Sequence, residues 1–67
     1  MFHMEFEQEE DGRWVAEVPE LPGVMAYGAD QEAARREAIT LALCVLVDRI
    51  RCGEPLPEKV SRLFNAA

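Results

Sequence analysis

"VAEVPELPGVMAYG", Val15–Gly28, is the stretch whose reading decides this fold. Strand-like alternation runs to Val18 and stops at Pro19. Pro22 and Gly23 follow, and alternation resumes at Val24. Proline has no N–H to give to a ladder, so each proline breaks pairing. Glycine accepts a positive φ at little cost. The stretch therefore predicts two short strands joined by a rigid corner built from Pro19, Pro22 and Gly23. In the second of these strands Val24 and Ala26 face inward, and Met25 and Tyr27 face outward.

Upstream, "FHMEFEQE" (Phe2–Glu9) alternates strictly, with Phe2, Met4 and Phe6 on one face and His3, Glu5, Glu7 and Glu9 on the other. "RWVAEV" (Arg13–Val18) puts Trp14, Ala16 and Val18 on one face. The turn between them fixes the register. A two-residue Asp11-Gly12 turn would pair Phe6 with Glu17 and mix core with solvent. A three-residue Glu10-Asp11-Gly12 loop pairs Glu9 with Arg13, Phe6 with Ala16 and Met4 with Val18. It keeps all apolar residues on one face and leaves Gly12 in the left-handed position such loops need. This register sets Glu5 opposite Glu17 and Glu7 beside Val15. Facing like charges cost on the order of tenths of a kcal/mol, and a basic partner would offset that cost.

Downstream, "DQEAARREAITLALCVLVDRIRCG" (Asp30–Gly53) reads as one helix. Asp30 caps it, Glu32 suits its first turn, Arg49 and Arg51 suit its last, and Gly53 then Pro55 end it. Ala34, Ala38, Leu41 and Val45 form the core stripe. Ile39, Leu43, Leu46, Val47 and Ile50 lie outside that stripe, so the second half of the helix is apolar nearly all round. One small sheet cannot cover it, so the helix meets either another subunit or a partner; self-association is preferred, with Leu43, Leu46, Val47 and Ile50 as the expected oligomer interface of a dimer or tetramer. Near the C-terminus, "VSRLF" (Val60–Phe64) allows a short fourth strand or a helical turn, and its alternation favours the strand. The sum is β-β-β-α-β, an α+β two-layer domain with an antiparallel sheet and one helix on one face.

The 67 residues make one small domain, near the lower limit of what folds alone. The net charge of −6 is uneven: residues 1–20 carry seven acids against Arg13, and the remainder is balanced. Such a face disfavours nucleic acid and attracts basic proteins, although a solvated, solubilising face is the plainer reading. Cys44 and Cys52 are too far apart along one helix for an internal disulfide, so both are read as reduced thiols of a cytoplasmic protein, with Cys44 an inert core thiol. The acidic start "MFHMEFEQEE" is not a signal peptide, and the longest apolar run, 38–47, is too short to span a membrane.

No catalytic constellation emerges. His3 is the only histidine and lies close to a terminus expected to be flexible, and there is no phosphate loop or C-x-x-C. Glu5, Glu7 and Glu17 invite a metal-nuclease idea, but they lack positioned companions and a basic groove. The reading is of a protein that is not an enzyme and has no metal and no cofactor.

Residues 9–38, "EEDGRWVAEVPELPGVMAYGADQEAARREA", resemble the HicB antitoxin family: an acidic strand, a D-G turn, aromatic-V-A-E-V-P-x-L-P-G, a short strand ending in glycine, then a helix opening with Glu and Ala. "GEPLPE" (Gly53–Glu58) resembles that family's helix exit. The resemblance implies a truncated ribonuclease-H-like domain that does not catalyse. It implies a partner, a small basic HicA-type ribonuclease that cuts messenger RNA and is masked by the antitoxin. Many HicB proteins carry a C-terminal DNA-binding domain, for which these 67 residues leave no room. On this reading Glu5, Glu7, Val15, Glu17 and Tyr27 form the partner-binding face. The alternative is a solitary homo-oligomer with a regulatory or unknown ligand role and no toxin.

Overall fold

The computed structural model describes residues 2–64. Its elements run β1 (Glu5–Gln8), β2 (Trp14–Glu17), β3 (Met25–Gly28), α1 (Gln31–Arg51) and α2 (Glu58–Ser61). The three strands form one antiparallel sheet in the order β1-β2-β3, with α1 packed on one face, mainly over β3 and β2. This is the expected α+β, two-layer arrangement.

The hairpin register is the expected one. Glu5 faces Glu17, Phe6 faces Ala16, Glu7 faces Val15 and Gln8 faces Trp14. Glu9 and Arg13 close the three-residue loop through a 2.7 Å bond from Glu9 N–H to the Arg13 carbonyl, and Gly12 takes φ 92°. The ladder is shorter than the alternation suggested, because it stops at the Glu5–Glu17 pair.

The corner consists of two successive turns. Leu21 N–H donates to the Val18 carbonyl at 3.0 Å, with Pro19 in the second position of that turn. Val24 N–H then donates to the Leu21 carbonyl at 3.0 Å, with Pro22 second and Gly23 third at φ 90°. That is the type II turn that Pro-Gly favours. Val18 N–H reaches the Val24 carbonyl at 3.1 Å and seals the base. The corner also drives Leu21 into the core, where it is 1% exposed.

Two apolar clusters hold the layers together. Ala16, Ala34 and Ala38 are fully buried, with Met4, Phe6, Trp14 and Ala26 around them. Small residues on both layers let the helix approach the sheet closely. Beyond them Val18, Leu21, Val24, Leu46 and Val60 pack together, flanked by Phe2, Met4, Leu41, Ala42 and Val45. The predicted stripe Ala34, Ala38, Leu41 and Val45 thus faces the core.

The ends of α1 follow its sequence signals. Asp30 Oδ1 accepts from Ala33 N–H at 2.7 Å. At the other end Gly53 takes φ 80°, Gly53 N–H reaches the Ile50 carbonyl and Glu54 N–H reaches the Arg49 carbonyl. These are the paired bonds of a Schellman cap.

Four expectations are corrected. Residues 58–61 form the helical turn α2, not a fourth strand. Pro57 starts it, Val60 and Ser61 donate back to the Pro57 carbonyl, and Glu58 pairs with Arg62 one turn on. These local bonds prevail over an alternation only five residues long, and among the described residues the outer edge of β1 has no neighbour strand. Leu46 belongs to the core, not to an exposed interface stripe: Leu21 and Val60 cover it, leaving it 7% exposed. Cys44 is exposed, as is Cys52. Lying two residues before Leu46, it is turned about 200° away from that buried side chain. Finally, His3 is anchored rather than loose, since its backbone N–H and Nδ1 both donate to the Glu20 carboxylate, Nδ1 at 2.6 Å.

Lys59 Nζ donates to the same carboxylate at 2.9 Å, so Glu20 ties the N-terminal segment and α2 to the corner. The Lys59 bond, and then the His3 bond, hold the Glu20 carboxyl far below its ordinary value of 4.5, against a smaller opposing effect of partial burial. A carboxyl depressed on folding adds stability at pH above its unfolded value, and that stability is lost as pH falls below it. Solvent screening keeps the contribution modest, since Glu20 is partly exposed. The urea midpoint is expected to fall as pH drops below about 4.5. Glu20→Gln is expected to have a lower midpoint at neutral pH and a flatter acid limb. An unchanged acid limb in Glu20→Gln would remove the clamp from the account.

Candidate functional site

The solvent face of the sheet gathers the acidic side chains. Side chains alternate along each strand, so the register lays out two rows across the three strands. One row is Glu7, Val15, Tyr27, and the next is Glu5, Glu17, Met25. Tyr27 and Met25 are each 47% exposed, and Val15 is half-buried between Glu7 and Tyr27. With Glu9 and the rim of Phe6, these residues line a shallow depression of about 430 Å³. The five residues assigned to the partner-binding face from sequence, Glu5, Glu7, Val15, Glu17 and Tyr27, are therefore brought together on one surface.

Met25 and Glu9 belong to the same surface and were not included in that set. The signal for Met25 was available, since alternation already turned it outward and the pairing of Glu17 with Met25 follows from the corner. Glu9 lies beyond the end of the β1 ladder and joins the depression through the hairpin loop.

The charges on this face are not neutralised from within. Among the described residues, Glu5, Glu7, Glu9 and Glu17 form no ion pair. Arg13, the one base of the N-terminal segment, pairs with Asp11 and not with these glutamates. Its backbone N–H donates to Asp11 Oδ1 at 3.1 Å and its Nε to Oδ2 at 2.8 Å. These bonds, the backbone one foremost, lower the Asp11 carboxyl below its ordinary value. The Arg13 guanidinium lies 4.9 Å from the centre of the Tyr27 ring. That cation–π contact restrains Tyr27 in its outward position.

The helical residues assigned to an interface divide. Leu43, Val47 and Ile50 are 58%, 48% and 48% exposed, whereas Leu46 is in the core. They face away from the acidic layer, across the thickness of the domain. Pro19 and Pro22 are exposed at the corner, and their role is in the backbone path.

Among the described residues no three His, Cys, Asp or Glu side chains converge as a metal site. No helix among them is long and apolar enough to cross a membrane. The class of protein that fold and surface define is a small three-stranded α+β domain with an acidic, aromatic-anchored sheet face. No protein-family model, curated protein or solved structure matches the chain significantly.

Proposed function

We propose that this chain is an antitoxin-type binding module, of the kind its HicB-like motif implies, and that its sheet face masks a small basic mRNA-cleaving toxin in the cytoplasm. The single observation that carries this reading is the sheet face itself: four unpaired carboxylates around Val15, Met25 and a restrained Tyr27. Ribonucleases of basic character hold RNA through its phosphates. Carboxylates spaced across a sheet offer the same negative charge to the same basic side chains, and Tyr27 supplies the aromatic contact on which interface energy concentrates. Binding of this kind excludes the message by competition and involves no chemistry on the antitoxin. The opposite, apolar side of the helix supports self-association, which is equally required by the reading of the chain as a solitary homo-oligomer.

Two experiments test the proposal. Tagged protein recovered from its own cells should bring down a small basic protein. Glu5→Lys together with Glu17→Lys should slow association with that protein at low salt by about tenfold or more and flatten its salt dependence, as expected when steering charges are reversed. Recovery of no basic partner would favour the solitary oligomer. Unchanged association by the double variant would move the binding surface elsewhere.

A further inference from the structure

The side of the molecule away from the acidic sheet face carries an apolar groove of about 510 Å³. Phe2 and Met4 form one wall, and Ile39, Leu43, Val47 and Ile50 of α1 form the other, with Leu46 and Val60 at its floor. The groove exists because the layers are mismatched. Helix α1 has 21 residues and spans about 32 Å, while each strand has four residues and spans about 13 Å. The helix sits over β3 and β2, so the segment leading into β1 projects beside the helix flank without being covered by it.

We propose that this groove seats a second copy of the chain, in a two-fold pair whose α1 helices cross antiparallel. Three observations select that occupant. The first is the pattern of the seam. Ile39, Leu43, Val47 and Ile50 recur at spacings of four, four and three on one flank, and the order Ile-Leu-Val-Ile is nearly the same read from either end. An isologous two-fold contact requires a surface of this self-complementary kind. Ile39 then meets Ile50 of the second copy, and Leu43 and Val47 of both copies gather about the two-fold axis.

The second is charge. The groove carries no acid, and its one permanently charged side chain is Arg35. A basic partner finds nothing there to recognise. A copy of this chain, with net charge −6, finds a cation. Arg35 lies 4.0 Å from Glu32 of its own copy, an exposed pair that a carboxylate of the second copy can join. The acidic faces meanwhile stay on the outside of the pair, where their mutual repulsion is least.

The third is area. Leu43, Val47, Ile50, Leu63 and Phe64 are 48–77% exposed. At on the order of 150–200 Å² per side chain, they leave about 500 Å² of apolar surface open, about a tenth of the 5188 Å² of the whole chain. Two copies together cover about 1,000 Å², the size at which specific interfaces begin.

Sedimentation equilibrium of the whole chain tests this. At tens of micromolar the expected mass is twice the 7.6 kDa of the chain. Leu43→Glu and Val47→Glu place a charge on side chains already exposed in the single copy, and each is expected to weaken association at least a hundredfold. Glu5→Lys with Glu17→Lys is expected to leave the mass unchanged. A second reading does not depend on the variants folding: the thermal midpoint of the parent should rise with protein concentration, as linked folding and association require. A mass of one chain at these concentrations overturns the proposal, as does a midpoint independent of concentration. Retention of the double mass by Leu43→Glu overturns it too, and its loss in the sheet-face double variant would place the interface on the sheet.

Discussion

Gly28→Ala is expected to remove a large part of the stability of this fold. Gly28 ends β3 opposite Trp14, and its backbone passes directly beneath the first turn of α1. A β-carbon there would stand 2.3 Å from the Ala34 nitrogen, 2.7 Å from the Ala33 carbonyl carbon and 2.8 Å from the Ala34 Cα. All three are backbone atoms, so no side-chain rotation relieves the clash. Relief requires lifting the helix from the sheet, and that opens the cluster of Ala16, Ala34 and Ala38. Overpacking in a core costs about 1–3 kcal/mol and sometimes more. A chain of this length has only about 3–10 kcal/mol of stability at ~0.05–0.15 kcal/mol per residue. Far-ultraviolet circular dichroism and urea denaturation read the outcome. Gly12 is the control: a β-carbon there meets nothing within 4 Å, so alanine at position 12 is opposed only by the positive φ of 92°. A cooperative Gly28→Ala transition as stable as that of the Gly12 variant would show that helix and sheet are not held in this close approach.

The second large effect is expected at the corner. Leu21→Ala should destabilise by about 2–5 kcal/mol, the range for deleting a buried leucine side chain. Pro22→Ala should cost less than about 1 kcal/mol, because its effect comes mainly through the freedom of the unfolded chain. Leu21 is 1% exposed and packs with Val18, Val24, Leu46 and Val60, so it joins the corner to α1 and α2 at once. Pro22 is exposed and shapes only the turn. Urea midpoints of the two variants decide the matter. If Pro22→Ala proved the costlier, the turn geometry and not the leucine anchor would be holding β3 against β2. The comparison also bears on the sheet face, since the corner sets the pairing that brings Tyr27 beside Val15 and Met25 beside Glu17.

These two variants act at different levels of the structure, and so do the successes and failures of sequence reading. The register of the first hairpin was legible because side chains alternate with period two, and only a three-residue loop kept Phe6, Trp14 and Ala16 on one face. From that register the outward set of Glu5, Glu7, Val15, Glu17 and Tyr27 followed. The two turns of the corner were legible in Pro19, Pro22 and Gly23. The helix boundaries were legible in Asp30 and Gly53. Each of these features is set by residues within a few positions of one another.

What only the tertiary structure decided depends on residues far apart in the chain. Leu43, Leu46, Val47 and Ile50 look alike along an all-apolar helix, but Leu21 and Val60 arrive from elsewhere to cover Leu46 alone. The pairing of Glu20 with both His3 and Lys59 joins three segments that sequence spacing does not relate. The C-terminal alternation suggested a strand, yet the bonds back to Pro57 and the single buried contact of Val60 stabilise a helical turn instead. Gly28 looked like an ordinary strand end until the helix was laid over it. Local periodicity and turn chemistry thus determined the elements and the acidic face. Burial, close approach and the groove on the far side of α1 were decided by packing, because an apolar side chain does not encode which distant neighbour will cover it.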